Sequence, residues 1–406
     1  MAPARLSVVL VLQFLTRDIY TLGNTLNFKI NKDIVTDSGV VRGHVVESGD
    51  YFAFLGIPYA APTTGSQRFK GPLPPKPWDT TFIADRKVVC PQSGIGEEDC
   101  LVVNVFVPTD KANGKLPVLV YIHGGLFLFG AGPTEGMEPL IRLGVVIVTI
   151  NYRLGPLGFL CLANDHAPGN AGLKDQVAAL EWVKKNIENF SGDPDNVTVY
   201  GTDAGAACIE LLVQSKANRN LFQKVIFESG SSNSAWAIDK YPLTTAKDLA
   251  RAFTVSGIEN PQKLLELYQN VPAEINARRG NTVYLMEFAY RGKMGEYDDF
   301  YKDIAAAGHG DFANHIILKR PIQTSSDQLA IDRAAMLMVN FMKYGNPTPN
   351  QTDLLPILWP TEQPYINEYF LFGTDLKVLN SPYSKRIEFW NQLYCDSGAS
   401  KIKLAC

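Results

Sequence analysis

The sequence predicts an α/β fold in which a mostly parallel sheet is covered by helices on both faces, and three observations carry that expectation. Pro117 to Ile122, Val145 to Ile150, Val197 to Tyr200, Lys224 to Phe227 and Thr282 to Phe288 are short runs rich in β-branched or aromatic residues. Gly, Pro, Asn or Asp bound them, so they read as buried strands. Between the second and third, Leu173, Val177, Leu180, Val183 and Ile187 recur at helical spacing over Leu173 to Asn189. Near-continuous apolar strands that alternate with amphipathic helices call for a sheet buried on both faces.

At the N-terminus, Arg5 precedes the apolar stretch Leu6 to Leu15, which has the length of a signal-peptide core but not of a membrane span. Thr16-Arg17-Asp18 follows in place of a small-residue cleavage pattern. Residues 1–22 are therefore expected to be a signal peptide of an extracellular protein; the alternative is an apolar arm on a cytoplasmic one. Residues 23–406 are expected to form a single domain. Within it, residues 28–110 carry Gly- and Pro-rich punctuation and short alternating runs, which predict an antiparallel N-terminal meander joined to the main sheet. Residues 236–272 read as helix and loop, and Asp327 to Tyr344 as the one helix among the Pro-rich loops of the final hundred residues.

Composition narrows the function. Hydrophobic residues make up 46% and charged residues 19%, enough apolar material for a large core and no sign of disorder. Thirty-eight basic against 41 acidic side chains give a net charge of −3 with no long run of one sign, which argues against a nucleic-acid partner. No later segment reaches the ~20 apolar residues of a membrane span. The spacing of Cys, His, Asp and Glu offers no metal cluster, and no organic cofactor is expected. Of the six cysteines, Cys90 and Cys100 are the one close pair in a loop-like region; they would either close a small loop or stand as free thiols. Asn189, Asn196 and Asn350 begin glycosylation triplets, which fit secretion without proving it.

The chemistry points to one bend. Tyr200-Gly201-Thr202-Asp203-Ala204-Gly205 follows a strand and precedes the apolar run Ala206 to Val213, which reads as a helix. Small residues at 201 and 205 permit a sharp turn that projects residue 203 at a helix N-terminus, the arrangement of a nucleophile elbow. That pattern is Gly-x-Ser-x-Gly; here an aspartate stands where the serine belongs.

Glu98-Asp99-Cys100-Leu101, His123-Gly124-Gly125, Asn151-Tyr152-Arg153-Leu154-Gly155, Gly169-Asn170-Ala171-Gly172 and Glu228-Ser229-Gly230-Ser231 all resemble the type-B carboxylesterase and cholinesterase family. So do Phe54-Leu55-Gly56-Ile57-Pro58-Tyr59 and the late Gly345-Asn346-Pro347 with Trp359-Pro360, in the family's own order. The resemblance implies the α/β-hydrolase fold and a small, apolar, ester-like ligand. It implies that Gly124, Gly125 and Ala204 supply oxyanion-hole N–H groups, that His309 in Gly308-His309-Gly310-Asp311 is the general base, and that Cys90 pairs with Cys100.

Two departures separate the chain from that pattern. An aspartate attacking an ester carbonyl would form a mixed anhydride, a poor intermediate, and its carboxylate is a weaker nucleophile than a base-activated serine. A helix N-terminus and oxyanion-hole donors would also favour its negative charge, so that the enzyme fills its own hole. In addition, the family's triad acid belongs between nucleophile and histidine, yet Ala273 to Gly280 runs straight to the Thr282 strand, where family members are longer. Glu274, Glu287 and Glu296 read as solvated charges rather than replacements.

The expectation is a catalytically impaired ligand-binding or sequestering homologue. The alternatives are an active hydrolase, either on esters or with Asp203 attacking sp³ carbon as in epoxide hydrolases and haloalkane dehalogenases, and a secreted module that binds a protein partner.

Overall fold

The computed structural model describes residues 30–245 apart from 65–66, 93–94, 111–113, 166, 219 and 235, then 286–288, 312, 316, 322, 324–360 and 368–380. The first strands are β1 (Asn31–Thr36), β2 (Gly39–Val45), β3 (Tyr51–Pro58), β4 (Phe82–Ile83), β5 (Val102–Pro108), β6 (Leu116–Ile122) and β7 (Val146–Ile150). They are followed by β8 (Cys161–Asn164), β9 (Ala167–Pro168), β10 (Gly192–Thr202), β11 (Lys224–Glu228), β12 (Met286–Phe288), β13 (Glu368–Phe372) and β14 (Leu376–Asn380). The longer helices are α1 (Ala171–Asn186), α2 (Ala204–Gln214) and α3 (Ser325–Tyr344).

A nine-stranded sheet runs β1-β2-β3-β5-β7-β6-β10-β11, with β4 beside β2. From β1 to β7 the neighbours in that order are antiparallel, the predicted meander. From β7 through β6 and β10 to β11 they are parallel. Side chains of the central strands divide by the strand period of two. Val118, Val120 and Ile122 of β6, Val146, Val148 and Ile150 of β7, and Val197 and Val199 of β10 pack with Leu180 and Val183 of α1 and Ile209 and Leu212 of α2. Leu119, Tyr121, Ile147 and Tyr200 face the opposite side, where Ala334, Met338 and Met342 of α3 cover them. Both faces are thus closed, as the unbroken apolar runs require.

Some boundaries differ from expectation for local reasons. The predicted helix to Asn189 is α-helical only to Asn186; a 3₁₀ turn over Ile187–Phe190 follows, and Ser191 in the left-handed region (φ 66°) turns the chain into β10. The helix α3 starts two residues earlier than Asp327, because the Thr324 hydroxyl accepts the Asp327 N–H at 3.0 Å and caps it. Of the strand expected over Thr282 to Phe288, Met286–Phe288 is a strand and 282–285 lie outside the described residues.

Among the described residues the large sheet ends at β11, and β12, β13 and β14 form a separate three-stranded sheet. Phe370 and Phe372 of β13 enter the α3-side core. Residues 272–281 and His309 lie outside the described residues.

Candidate active site

The end of β10 and the start of α2 leave a single residue to make the turn, and that residue is Asp203, with φ 52° and ψ −118°. Such a backbone costs a non-glycine residue of order 1–3 kcal/mol and persists only where neighbours impose it. Gly205 and Gly230 do so by lacking side chains. A Cβ on Gly205 would lie 2.2 Å from the Ile122 carbonyl oxygen, and one on Gly230 would lie 1.9 Å from that of Asp203. The Asp203 N–H donates to the Glu228 carbonyl at 2.9 Å, so the segment after β11 also pins the bend. The Tyr200 hydroxyl in turn donates to the Glu228 carboxylate.

The loop after β6 closes over the elbow. The Asp203 Oδ2 accepts the N–H of Gly125 at 2.8 Å and that of Leu126 at 3.0 Å. Of Gly124 and Gly125, the pair that the resemblance implies, Gly125 makes this contact, together with Leu126. Gly124 has another duty, since a Cβ there would lie 2.8 Å from the Asp203 Cβ. Ala204, the third residue expected to contribute, opens α2 directly after the acid and is buried.

This loop is tightly set. Gly125 has φ 104°, and a Cβ there would sit 2.0 Å from the Phe129 carbonyl oxygen; Leu126 and Phe127 follow with φ 52° and 62°. The Nδ1 of buried His123 lies 2.8 Å from the Gly124 carbonyl oxygen, which can only accept, so Nδ1 carries the proton. The carbonyl of Gly124 and the N–H of Gly125 belong to one planar peptide, so His123 holds one end of it while Asp203 takes the other. Burial pulls the His123 imidazole down to about 4, which keeps it neutral at pH 7. The Tyr152 hydroxyl donates to the His123 carbonyl at 2.9 Å, and the two rings stack with centroids 4.5 Å apart.

Cys90 and Cys100 are disulfide-bonded, and their loop supports the one over the elbow. The Gln92 amide donates to the Gly130 carbonyl at 2.8 Å and accepts the Gly130 N–H at 2.9 Å. Around the mouth stand exposed apolar side chains: Leu126, Leu128, Phe129 and Trp236, with Phe127 between Phe159 (5.0 Å) and Trp236 (6.0 Å). Behind it, buried Arg153 meets buried Asp175 through Nε at 2.7 Å and Nη2 at 2.6 Å.

Leu126 and Gln92 are the residues that sequence reasoning misses. A leucine carries no sign that its N–H, rather than its side chain, meets Asp203. Of the glycosylation triplets, Asn189 and Asn350 are exposed, Asn189 donating to the Val35 carbonyl, while half-buried Asn196 accepts from Lys224. No group of three His, Cys, Asp or Glu among the described residues could hold a metal ion, and no described helix is long and apolar enough to cross a membrane.

An acid on a strained bend, facing backbone donors at the carboxyl ends of parallel strands, is the layout of an α/β-hydrolase centre. A solved structure of PNB esterase superposes with a TM-score of 0.71 over 88% of this chain and 99% of its own, at 24% identity, and so shares the fold. Juvenile hormone esterase of Tribolium castaneum is 43% identical over 218 residues, 50% of this chain and 37% of its own length. Para-nitrobenzyl esterase of Bacillus subtilis is 39% identical over 272 residues, 58% of this chain and 55% of its own. Esterase B1 of Culex pipiens is 42% identical over 224 residues, 51% and 41% respectively. The chain thus spans about half or less of the length of these curated relatives. Residues 31–278, more than half of the chain, match the model described as Carboxylesterase family, and the chain belongs to that family.

Proposed function

We propose that this chain binds small, apolar, ester-like molecules and turns them over poorly or not at all. One observation carries the reading: the Asp203 Oδ2 already accepts the N–H groups of Gly125 and Leu126, the donors that would otherwise stabilise the oxyanion of a substrate. An ester carbonyl entering the site competes with a built-in carboxylate. If it displaced that carboxylate, attack by Asp203 would still lead only to a mixed anhydride. The sequence between Pro272 and Asn281 also offers no acid segment to orient His309. The apolar rim of Leu126, Leu128, Phe129 and Trp236 suits the alkyl or aryl part of an ester, and the relatives are named as esterases.

Replacing Asp203→Ser tests this. With a short-chain nitrophenyl ester the parent chain is expected to give no turnover above background, and the serine variant a measurable rate. Turnover by the parent chain, blocked by acylation at residue 203, overturns the reading. If the serine variant is also inactive, the fault lies in the missing acid segment.

A second reading rests on the same two hydrogen bonds. They fix one carboxylate oxygen and orient the other, the preparation needed to attack sp³ carbon and form an alkyl-enzyme ester. It also needs an oriented histidine to activate water, and the sequence gives His309 no partner acid. A covalent adduct on Asp203 after exposure to an epoxide and haloalkane panel would favour it.

Secretion belongs to this proposal as well. The Cys90–Cys100 bridge fits an oxidising compartment, and Asn189 and Asn350 are the glycosylation triplets whose asparagines are exposed.

A further inference from the structure

We propose that Asp203 is a self-modification site, at which the main-chain nitrogen of Ala204 attacks the Asp203 side-chain carboxyl carbon and closes a five-membered cyclic imide. The torsion is already set. The Cβ branch of an L-residue stands one third of a turn round Cα from the amide nitrogen, so a ψ of −118° brings Cβ almost into eclipse with the nitrogen of Ala204. That eclipse is what the imide ring demands and what ordinary strand or helix backbone forbids. With φ at 52°, the pair of angles is that of the first corner of a type II′ turn, normally reserved for glycine. The fold pays for this conformation through Gly205 and Gly230, so ring closure needs no further backbone rotation.

The carboxyl group is polarised in the same geometry. Oδ2 accepts N–H groups from Gly125 at 2.8 Å and Leu126 at 3.0 Å, as an acyl carbonyl would in a transfer reaction. The attacking nitrogen belongs to the first residue of α2, whose N–H has no carbonyl partner inside the helix. The helix therefore loses no ladder bond when that proton leaves. Ala204 adds no bulk at the point of attack.

The step balances as a dehydration of the neutral acid. The N–Cγ bond forms and the bond from Cγ to the other oxygen breaks. That oxygen leaves as water with the carboxyl proton and the amide proton of Ala204, while Oδ2 remains as the imide carbonyl. Water then opens the ring at Cγ to restore aspartate, or at the main-chain carbonyl to leave an isoaspartyl linkage. The latter inserts a methylene into the main chain at the one residue that must turn sharply, and so dismantles the elbow. None of this depends on whether the chain hydrolyses esters.

The test uses the full folded chain in oxygen-18 water, with the urea-unfolded chain as reference and peptide mapping as readout. Folded Asp203 is expected to take up heavy oxygen at least about tenfold faster than unfolded Asp203. Isoaspartate and a hydroxylamine-trapped hydroxamate should map to the same residue. Asp203→Asn, which cyclises with loss of ammonia, should show the same acceleration and keeps the test readable if the acid itself is slow. Asp203→Glu, whose ring would need one more member, should not. Acceleration in the folded parent or in Asp203→Asn supports the proposal. Parity with the unfolded chain in both, or equal labelling in Asp203→Glu, overturns it.

Discussion

Asp175 and Asp203 are both aspartates held by several donors beside a helix, and they differ in what holds them. Asp175 is fully buried and receives a two-pronged guanidinium from Arg153, itself buried and tied through Nη1 to the Arg68 carbonyl at 2.9 Å. Asp203 stands at the mouth of the site and receives main-chain amides from a loop whose Leu126 is 48% exposed. The first arrangement neutralises charge with charge where water cannot reach. The second aims fixed dipoles at an oxygen that water can replace. One aspartate is bound into the core, whereas the other, on the proposed reading, occupies the place of a substrate oxygen.

The largest expected effect comes from removing each acid in turn. Asp175→Ala leaves the Arg153 guanidinium buried without its partner and should cost about 3–5 kcal/mol of stability. Asp203→Ala gives up two hydrogen bonds whose donors can turn to solvent, and should cost only about 1 kcal/mol. Guanidinium chloride unfolding of both variants measures the difference. Equal losses would mean that the two aspartates are held alike.

A smaller effect, dependent on pH, sharpens it. His123 holds the peptide that offers its N–H to Asp203, and burial lowers its pKa from 6.5 to about 4. Between those values the unfolded chain binds a proton that the folded chain does not, so stability rises with pH across that window. It is fully present above pH 6.5 and is lost as pH falls toward 4. The interval amounts to about 3 kcal/mol. His123→Gln keeps a donor for the Gly124 carbonyl but does not titrate. The gap between the two proteins in urea midpoint should therefore change from pH 7 to pH 4.5, with the parent losing more. Parallel profiles would mean that the imidazole is not kept neutral by burial.

What the sequence reveals of this arrangement follows from the range of each interaction. Strands β6, β7 and β10 are legible because two-sided burial writes itself as an unbroken apolar run, such as Val146 to Ile150. The elbow is legible because Gly201 and Gly205 bracket an acid between strand and helix. The contact of the Leu126 N–H is not, since it turns on which peptide plane faces Asp203, and a leucine at φ 52° defies its own preference. Nor is the pairing of β12 with β13, because it joins residues as distant as Phe288 and Phe372. The pairing of Arg153 with Asp175 is equally hidden, because either charge alone reads as solvated. Asp203 stands out in the sequence because it breaks a motif, whereas Asp175 breaks none.

The smallest expected effect concerns the rim, where neither kind of aspartate contact operates. Trp236 is 41% exposed and meets Phe127, which also meets Phe159, so its ring covers other aromatic surface while still facing water. An alkyl or aryl group bound there would remove the rest of that surface from water. Trp236→Ala should weaken binding of an apolar ester by about 1–2 kcal/mol, measured by calorimetric titration, while the unfolding midpoint barely moves. Asp203→Ala should act in the opposite sense on the same titration, because it vacates the N–H groups of Gly125 and Leu126 for the ester carbonyl. A ligand that loses affinity in the first variant and gains it in the second must have its apolar part at the rim and its carbonyl at the loop. If it ignores both changes, it binds elsewhere, and the contrast between Asp175 and Asp203 is one of stability alone.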